Sequence, residues 1–522
     1  MSRTKRYIGG ASFGYLNQFL VTAAGLWLTP FLLGRLGQKD YGLWLVGTQV
    51  LAYLLLADFG VVALLPREVA AARGRGAAPG GGARHPAELS AVVGDSARLV
   101  LWQTPLVAAA ALAVWLLMPA EWEPLHRPLA FVLAVFVLTF PLRLPGAVLQ
   151  GLQDWEFLSK TQTCVWLAGT LVTVALAAAG AGLYALAWGW AVAQGLSAAV
   201  MLLRLARRVP GALKLFLPRA APDARAAGGV RAKLASGFWV SLNQIAVALL
   251  VGTDVLIIGR VLGPEAVVPF ACTGKLVAVL ANQPQMLMQL AVPALSELRA
   301  GGAREHLSTV CVALAQMMLL VSGAVVCVVL AANGGFVTWW VGARQYGGFG
   351  VTAAVVLAML LRHFNLTVGY VLFAFGHERR LAVTALADGL TTVAAAALLM
   401  PYCGIIGAPL GSALGASLIS LPSNLAALSR SGAVTVGGLA RALSPWFFRF
   451  SALALAASAL ALGAGPRTLA GFGAAALAVA LVYGVVMLPI ALRQPLGTYL
   501  RPRLSALGRA GWRALRWRGG EA

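Results

Sequence analysis

The chain has 522 residues, 60% of them hydrophobic and only 11% charged, with a mean hydropathy of +0.82. A soluble domain carries roughly twice that share of charge, so a large soluble enzyme is excluded. The 40 Lys and Arg against 17 Asp and Glu give a net charge of +23. In a soluble chain that excess points to nucleic acid; here it lies mostly in one set of gaps between apolar runs, so the expected neighbour is anionic inner-leaflet lipid and no nucleic acid.

Apolar runs of about 20 residues recur along the whole length, the mark of spanning helices. Fourteen are predicted: 7–33, 41–65, 95–118, 128–149, 158–179, 183–203, 235–258, 266–293, 307–332, 349–375, 381–400, 405–428, 447–464 and 468–492. The basic stretch Met1 to Arg6 runs into the first, which is longer than a signal h-region and reads as an uncleaved helix. Residues 74–82 (GRGAAPGGG) form a flexible loop by composition. The connection 204–234 carries eight cations and is the best boundary in the chain. The domain reading is an N-lobe over 1–203, a basic linker over 204–234, a C-lobe over 235–428, and two further helices with a basic tail over 429–522.

The cations sort by side. Of the 40, 31 lie in the tails and in every second gap, or in the helix turns bordering them. The opposite gaps hold Arg35, Lys39, Arg127, Arg260, Arg344 and Arg467. By the positive-inside rule both termini are cytoplasmic, which requires an even helix count. The tail from Arg493 to Arg518, with Trp512 and Trp517, reads either as an interfacial helix or as a solvated basic segment. No outward gap exceeds roughly 15 residues by this segmentation. A membrane glycosyltransferase or polymerase, which commonly keeps catalytic groups in a large outer loop, is disfavoured.

The halves echo each other. Leu16-Asn17-Gln18 returns as Leu242-Asn243-Gln244, and Leu36-Gly37 returns as Leu262-Gly263, both at an offset of 226. Gly182 and Gly189 are spaced like Gly404 and Gly411. Helices 1–6 and 7–12 therefore read as two structural repeats of like orientation, related by an axis along the membrane normal. The fold class expected is an all-α polytopic membrane protein: two six-helix lobes with pseudo-two-fold symmetry, plus two C-terminal helices. Two such lobes facing each other make a cleft suited to alternating access.

Several segments resemble the polysaccharide flippases: Gly34 to Trp44 (GRLGQKDYGLW), Leu56 to Arg67 (LADFGVVALLPR), Val292 to Arg299 (VPALSELR), Trp339 to Gly342 (WWVG), Gly376 to Arg380 (GHERR) and Tyr402 to Ala408 (YCGIIGA). Their order along the chain, from about residue 7 to 428, carries the resemblance. The family is the O-antigen and exopolysaccharide flippase branch of the multidrug/oligosaccharidyl-lipid/polysaccharide exporter superfamily. The resemblance implies two six-helix bundles, a central cavity, and export of undecaprenyl-pyrophosphate-linked sugars across the bacterial inner membrane. Glycan polymerase and transferases are further candidate partners. Two departures stand out. Helices 13–14 exceed the twelve of many such flippases, as in the lipid II flippase, and the Gly-rich loop looks like an insertion.

Three cations, Arg143, Lys275 and Arg362, lie inside apolar stretches. A charge at the centre of a spanning helix costs about 2.5–3.5 kcal/mol on insertion scales, so each should face protein or a wet cavity. One reading has them line the cleft and grip a lipid pyrophosphate, since guanidinium groups bind phosphate oxygens in pairs. The other has each neutralised locally: Asp254 pairing with Lys275, Asp388 with Arg362, and Arg67 or Arg98 with Asp58. Pro141 and Pro145 predict a kink around Arg143. Asp58, Asp254 and Asp388 are candidates for coupling to a proton or sodium. The pairs Asn17-Gln18 and Asn243-Gln244 either bind sugar hydroxyls or bridge helices. His363 reads as a helix-bridging residue, and Gln283, Gln285 and Gln289 around Pro284 as a polar, kinked face.

The five cysteines are dispersed, with no CxxC pair. There is no GxxxxGK[ST] phosphate loop, HExxH or nucleophile elbow. No cofactor or metal and no enzymatic activity are expected. The alternatives to polysaccharide flippase are a lipid II flippase for peptidoglycan and a multidrug or organic-cation antiporter of the same fold. The antiporter would want acids to dominate its cavity.

Overall fold

The computed structural model describes residues 3–76, 85–208, 224–300, 304–432, 434–464 and 468–501. Most of the Gly-rich loop, the middle of the 204–234 linker and the Trp-bearing tail lie outside the described residues. Everything regular among the described residues is helix.

The first element, α1 (Arg3–Leu54), runs two predicted helices together and is broken at Gly37, whose φ of 81° and ψ of 169° no helix contains. A 3-10 turn (Leu55–Asp58) follows, then Phe59 and Gly60 in left-handed conformation, then α2 (Val61–Gly76). The second span is thus interrupted where the prediction had one helix over 41–65. α3 (His85–Leu116) leads to α4 (Glu123–Thr139) and α5 (Leu144–Gly151). The α4–α5 pair bends by 58° at Pro141, the kink that a proline without an amide proton predicts. α6 (Trp155–Ala178), α7 (Leu183–Arg208), α8 (Ala224–Val251) and α9 (Thr253–Val261) complete the first part, the last two bent by 48° at Gly252. Then come α10 (Pro264–Ala300), α11 (Arg304–Val341), α12 (Phe349–Ala374), α13 (Glu378–Cys403) and α14 (Gly407–Gly415). A π turn (Ala416–Ser420) joins α14 to α15 (Leu421–Arg430), and α16 (Val436–Ala464) and α17 (Leu469–Ala491) close the chain.

Ten segments are long and apolar enough to cross a membrane, and the two bent pairs bring the number to twelve. Two of the ten, Leu20–Asp58 and Glu378–Arg430, each hold two predicted spans joined at a non-helical glycine, Gly37 and Gly404. The fourteen-helix reading follows, and the chain is a multi-pass membrane protein.

The described residues divide into two compact units after Val267, inside α10. In the first unit, α6 and α7 approach so closely that a Cβ on Gly169 would lie 2.7 Å from the Gly189 carbonyl oxygen. Asp154 ties the start of α6 to the end of α7 by accepting from Arg204 (3.0 Å) and Arg208 (3.2 Å). In the second unit, α13 and α14 repeat the arrangement: a Cβ on Gly411 would lie 2.6 Å from the Ala396 nitrogen. In lipid, helices associate through close packing rather than the hydrophobic effect, and small residues permit it.

The echoes in sequence are therefore echoes in backbone. Gly182 and Gly404 both start their helix with positive φ (57° and 61°), and Gly189 and Gly411 both sit at a helix crossing. Gly37 and Gly263 likewise share positive φ (81° and 87°).

The interior of the second unit is α11, whose most apolar window is 56% buried against 17% for α17. The two extra helices clamp it. Trp446 and Phe450 of α16 stack with centroids 4.7 Å apart, and the Trp446 indole donates to the Tyr483 hydroxyl of α17 (3.2 Å). All three side chains close over Gly323 of α11, where a Cβ would meet each of them.

Candidate functional site

Two charged clusters stand inside the helices, one in each unit, and they differ in how far their arginine is satisfied.

In the first unit the break in span 2 turns Asp58 inward. Its carboxylate is almost fully enclosed, at 3% exposure. Oδ1 accepts from the Gly60 amide (2.9 Å), which holds the left-handed turn, and Oδ2 lies 3.2 Å from Arg143 Nη2. The Gln103 side chain of α3 donates to the Asp58 carbonyl (3.2 Å). Arg143 sits in the 3-10 turn Pro141–Arg143 between α4 and α5, so the proline break delivers it. Its guanidinium lies over the Phe140 ring at 5.5 Å and keeps 30% exposure. Nη1 is buried with no partner among the described residues. A polar pocket of about 330 Å³ opens here, lined among others by Asp58, Arg143, Gln150 and Gln244.

The expectation that Arg67 or Arg98 neutralises Asp58 is corrected: Arg143 does so, and Arg98 faces Asp95 one turn earlier at 3.7 Å. The reason is the break at 55–60, which moves Asp58 off the helix face that continues to Arg67.

In the second unit Arg362 of α12 has a partner at each of its three guanidinium nitrogens. It contacts Asp388 with both terminal nitrogens (2.6 and 3.1 Å). It also donates to the Thr392 hydroxyl (3.0 Å), the Ser412 hydroxyl (3.1 Å) and the Ser412 carbonyl (3.0 Å). Asp388 has no exposed surface, and its oxygens further accept from Thr392 (3.2 Å) and Ser420. A phosphate would have to displace a buried carboxylate to reach this guanidinium. Of the two readings of Arg362, the closed pair with Asp388 is the one the geometry displays.

Ser412 and Ser420 share this cluster because of the π turn. Two α-helical turns take about 7.2 residues, and a turn widened by one residue makes eight residues two turns. That register is invisible in sequence. Thr392, one turn beyond Asp388 on the same face, was readable. Glycine again allows the approach: a Cβ on Gly415 would collide with Thr392 and Asp388.

Lys275 is half-buried in α10 and forms no ion pair among the described residues. Asp254 opens α9 in the first unit, beside Tyr53. Tyr53 spans the break at Gly252, donating to the Ala248 carbonyl (3.1 Å) and sharing a hydrogen bond with Thr253. Lys275 and Asp254 belong to different units. Asn243 is exposed and Gln244 lines the Arg143 pocket. The side chains of Asn17, Gln18, Gln283 and Gln289 lie outside the described residues.

His363 bridges helices, sharing hydrogen bonds with Ser322 of α11 at Nδ1 (2.8 Å) and Gln285 of α10 at Nε2 (3.4 Å). Asn333 of α11 donates to the Thr273 carbonyl and the Thr352 hydroxyl, each at 3.0 Å. Arg449, which the sequence reading did not single out, lies inside α16 and donates to the Val486 carbonyl of α17 (3.0 Å). Pro489 lies inside α17 one turn further on.

Comparison with known proteins gives these clusters a setting. The family described as polysaccharide biosynthesis protein matches residues 100–344. No curated protein matches the sequence. Among solved structures, the chain is similar to an inward-facing multidrug resistance MATE family transporter of the MOP superfamily (TM-score 0.63, 13% identity, covering 77% of this chain and 93% of that one). It is similar to the lipid II flippase MurJ in an inward closed conformation (TM-score 0.63, 11% identity, 93% and 100%). An outward-facing MATE family transporter matches with a TM-score of 0.52 at 14% identity, covering 82% and 94%. At such identities the likeness is one of fold. The family match over the middle of the chain and this transporter fold bear out the resemblance read from the sequence, to the polysaccharide flippases of the MOP superfamily.

Proposed function

We propose that this protein carries undecaprenyl-pyrophosphate-linked oligosaccharide from the inner to the outer leaflet of the bacterial inner membrane by alternating access, for O-antigen, capsule or exopolysaccharide assembly. The observation that carries the reading is Arg143. It is a membrane-embedded cation with one nitrogen on Asp58, another unpartnered, and a polar pocket in front of it. A cation so placed suits an anionic headgroup, and the matched segment 100–344 includes it. Gln150 and Gln244 supply amides for sugar or phosphate oxygens. Lys275 remains a second candidate contact, with Asn243 and, by the repeat, Asn17 and Gln18. Arg362 and Asp388 are placed outside the transport set because they satisfy each other; Asp58 and Asp254 remain the candidates for ion coupling. Both termini face the cytoplasm in this reading, and the basic face rests on anionic inner-leaflet lipid. Glycan polymerase and transferases are the candidate partners.

One second reading has an observation of its own. MurJ, a lipid II flippase by name, is covered over its full length, and 93% of this chain takes part. Gene deletion followed by analysis of inner-leaflet lipid-linked glycans separates the two. Accumulation of a lipid-linked oligosaccharide supports the proposal, with loss of complementation by Arg143→Gln at normal membrane levels. Accumulation of the peptidoglycan precursor overturns it in favour of the second reading, and accumulation of neither overturns both.

A further inference from the structure

The two arginine clusters form an internal control. Arg362 has all three guanidinium nitrogens engaged: two contacts to one carboxylate, two to hydroxyls and one to a carbonyl. Arg143 has one contact to a carboxylate, at 3.2 Å, and its Nη1 is buried with no partner among the described residues. A guanidinium presents its nitrogens as a fork that matches two oxygens of one anion. Asp58 meets that fork with one oxygen, Oδ2, while its other accepts from the Gly60 amide.

The pocket in front has room for a better partner. Its volume of about 330 Å³ compares with about 30 Å³ for one water in the liquid, so a group of many atoms fits. Two amide side chains, Gln150 and Gln244, line the same space. The Gln103 amide, which holds the Asp58 backbone, keeps a buried and unpartnered Oε1 beside the cluster.

We infer that Asp58 is a built-in placeholder anion: it holds Arg143 by one nitrogen in the empty pocket and is displaced when a pyrophosphate-class anion takes the guanidinium by two. This rests on, and deepens, the flippase reading of the Arg143 pocket. Displacement has a mechanical consequence. Asp58 also pins the left-handed turn at Phe59 and Gly60 through the Gly60 amide. Phe59, with φ of 47°, is a non-glycine residue in a costly conformation. An anion that draws Arg143 away removes one of the two attachments that fix the Asp58 carboxylate at this break between α1 and α2.

The test is calorimetric titration of the purified full chain in detergent with inorganic pyrophosphate, and separately with farnesyl pyrophosphate. Asp58→Asn keeps an oxygen for the Gly60 amide and removes the competing charge, so it binds the anion at least tenfold tighter than the parent. Arg143→Lys keeps the single contact to Asp58 but loses the fork, so it binds at least tenfold more weakly. Tighter binding of farnesyl pyrophosphate than of inorganic pyrophosphate identifies the lipid-borne anion as the ligand. Equal binding identifies the free phosphate chemistry alone; both outcomes keep the placeholder. Asp58→Asn binding no tighter than the parent, Arg143→Lys binding unchanged, or no binding by parent and Asp58→Asn alike overturns it. Should Asp58→Asn fail to fold, Arg143→Lys alone decides. A strain lacking the gene that accumulates no lipid-linked glycan defeats the flippase reading without touching these affinities, so the two failures are distinguishable.

Discussion

Arg362 and Asp388 give the sharpest test of which charges are structural. Replacing Arg362 with Met leaves Asp388, with no exposed surface, facing only the hydroxyls of Thr392 and Ser420. Breaking a buried pair by removing one partner costs about 3–5 kcal/mol, because the other charge stays behind uncompensated. Asp388→Asn has the converse defect and strands the guanidinium among Ser412 and Thr392. The double variant Arg362→Met with Asp388→Asn removes both charges, and replacement of a whole buried pair is often neutral or better. The expected order is therefore both single variants well below the parent, and the double variant recovering most of the loss. The assay is thermal unfolding in detergent, read as the temperature at which half the protein leaves the monodisperse chromatographic peak, alongside glycan export in a complemented deletion strain. An Arg362→Met protein as stable as the parent, but dead in export, would refute the structural assignment and return Arg362 to the cargo.

Three further outcomes follow from the packing. Ala at Gly182 or at Gly404 destabilises by about 1–2 kcal/mol each, because both hold left-handed φ; equal losses at the two positions, measured by the same unfolding assay, check that the repeats share a backbone and not merely a spacing. Asn333→Ala loses its bonds to Thr273 and Thr352 in a fully enclosed site and costs about 1–3 kcal/mol, a figure that unchanged thermal stability would contradict. Trp446→Ala removes the stacked side chain over Gly323 and the bond to Tyr483. It costs about 3–5 kcal/mol, and limited proteolysis should then cut first around α16 and α17.

Much of the fold was legible because the membrane imposes a simple rule: a run of apolar residues long enough to cross must be helical. All fourteen predicted spans have helical counterparts, and Pro141 marked its kink by chemistry. The break at Gly37 falls in the predicted gap between 33 and 41, but those at Asp58–Gly60 and Gly252 were not legible. A glycine inside an apolar run looks the same whether its φ is helical or positive, and only its neighbours decide. The exchange of partners at Asp58 has the same origin. Arg67 and Arg98 were near in sequence, but the break points the carboxylate at Arg143.

By itself the sequence determined the membrane class, the helix count, the echo between halves and the presence of charges that lipid does not tolerate alone. Those follow from composition and spacing, which survive without coordinates. Only the tertiary structure decided which of the charges are spent. Arg362 is enclosed because a π turn and three close-packed glycines bring Ser412, Ser420, Thr392 and Asp388 around it. Arg143 is left half-satisfied because the break before it opens onto a pocket. Two arginines alike in one dimension differ in three, since satisfaction of a guanidinium depends on the direction of five N–H groups and not on the distance along the chain.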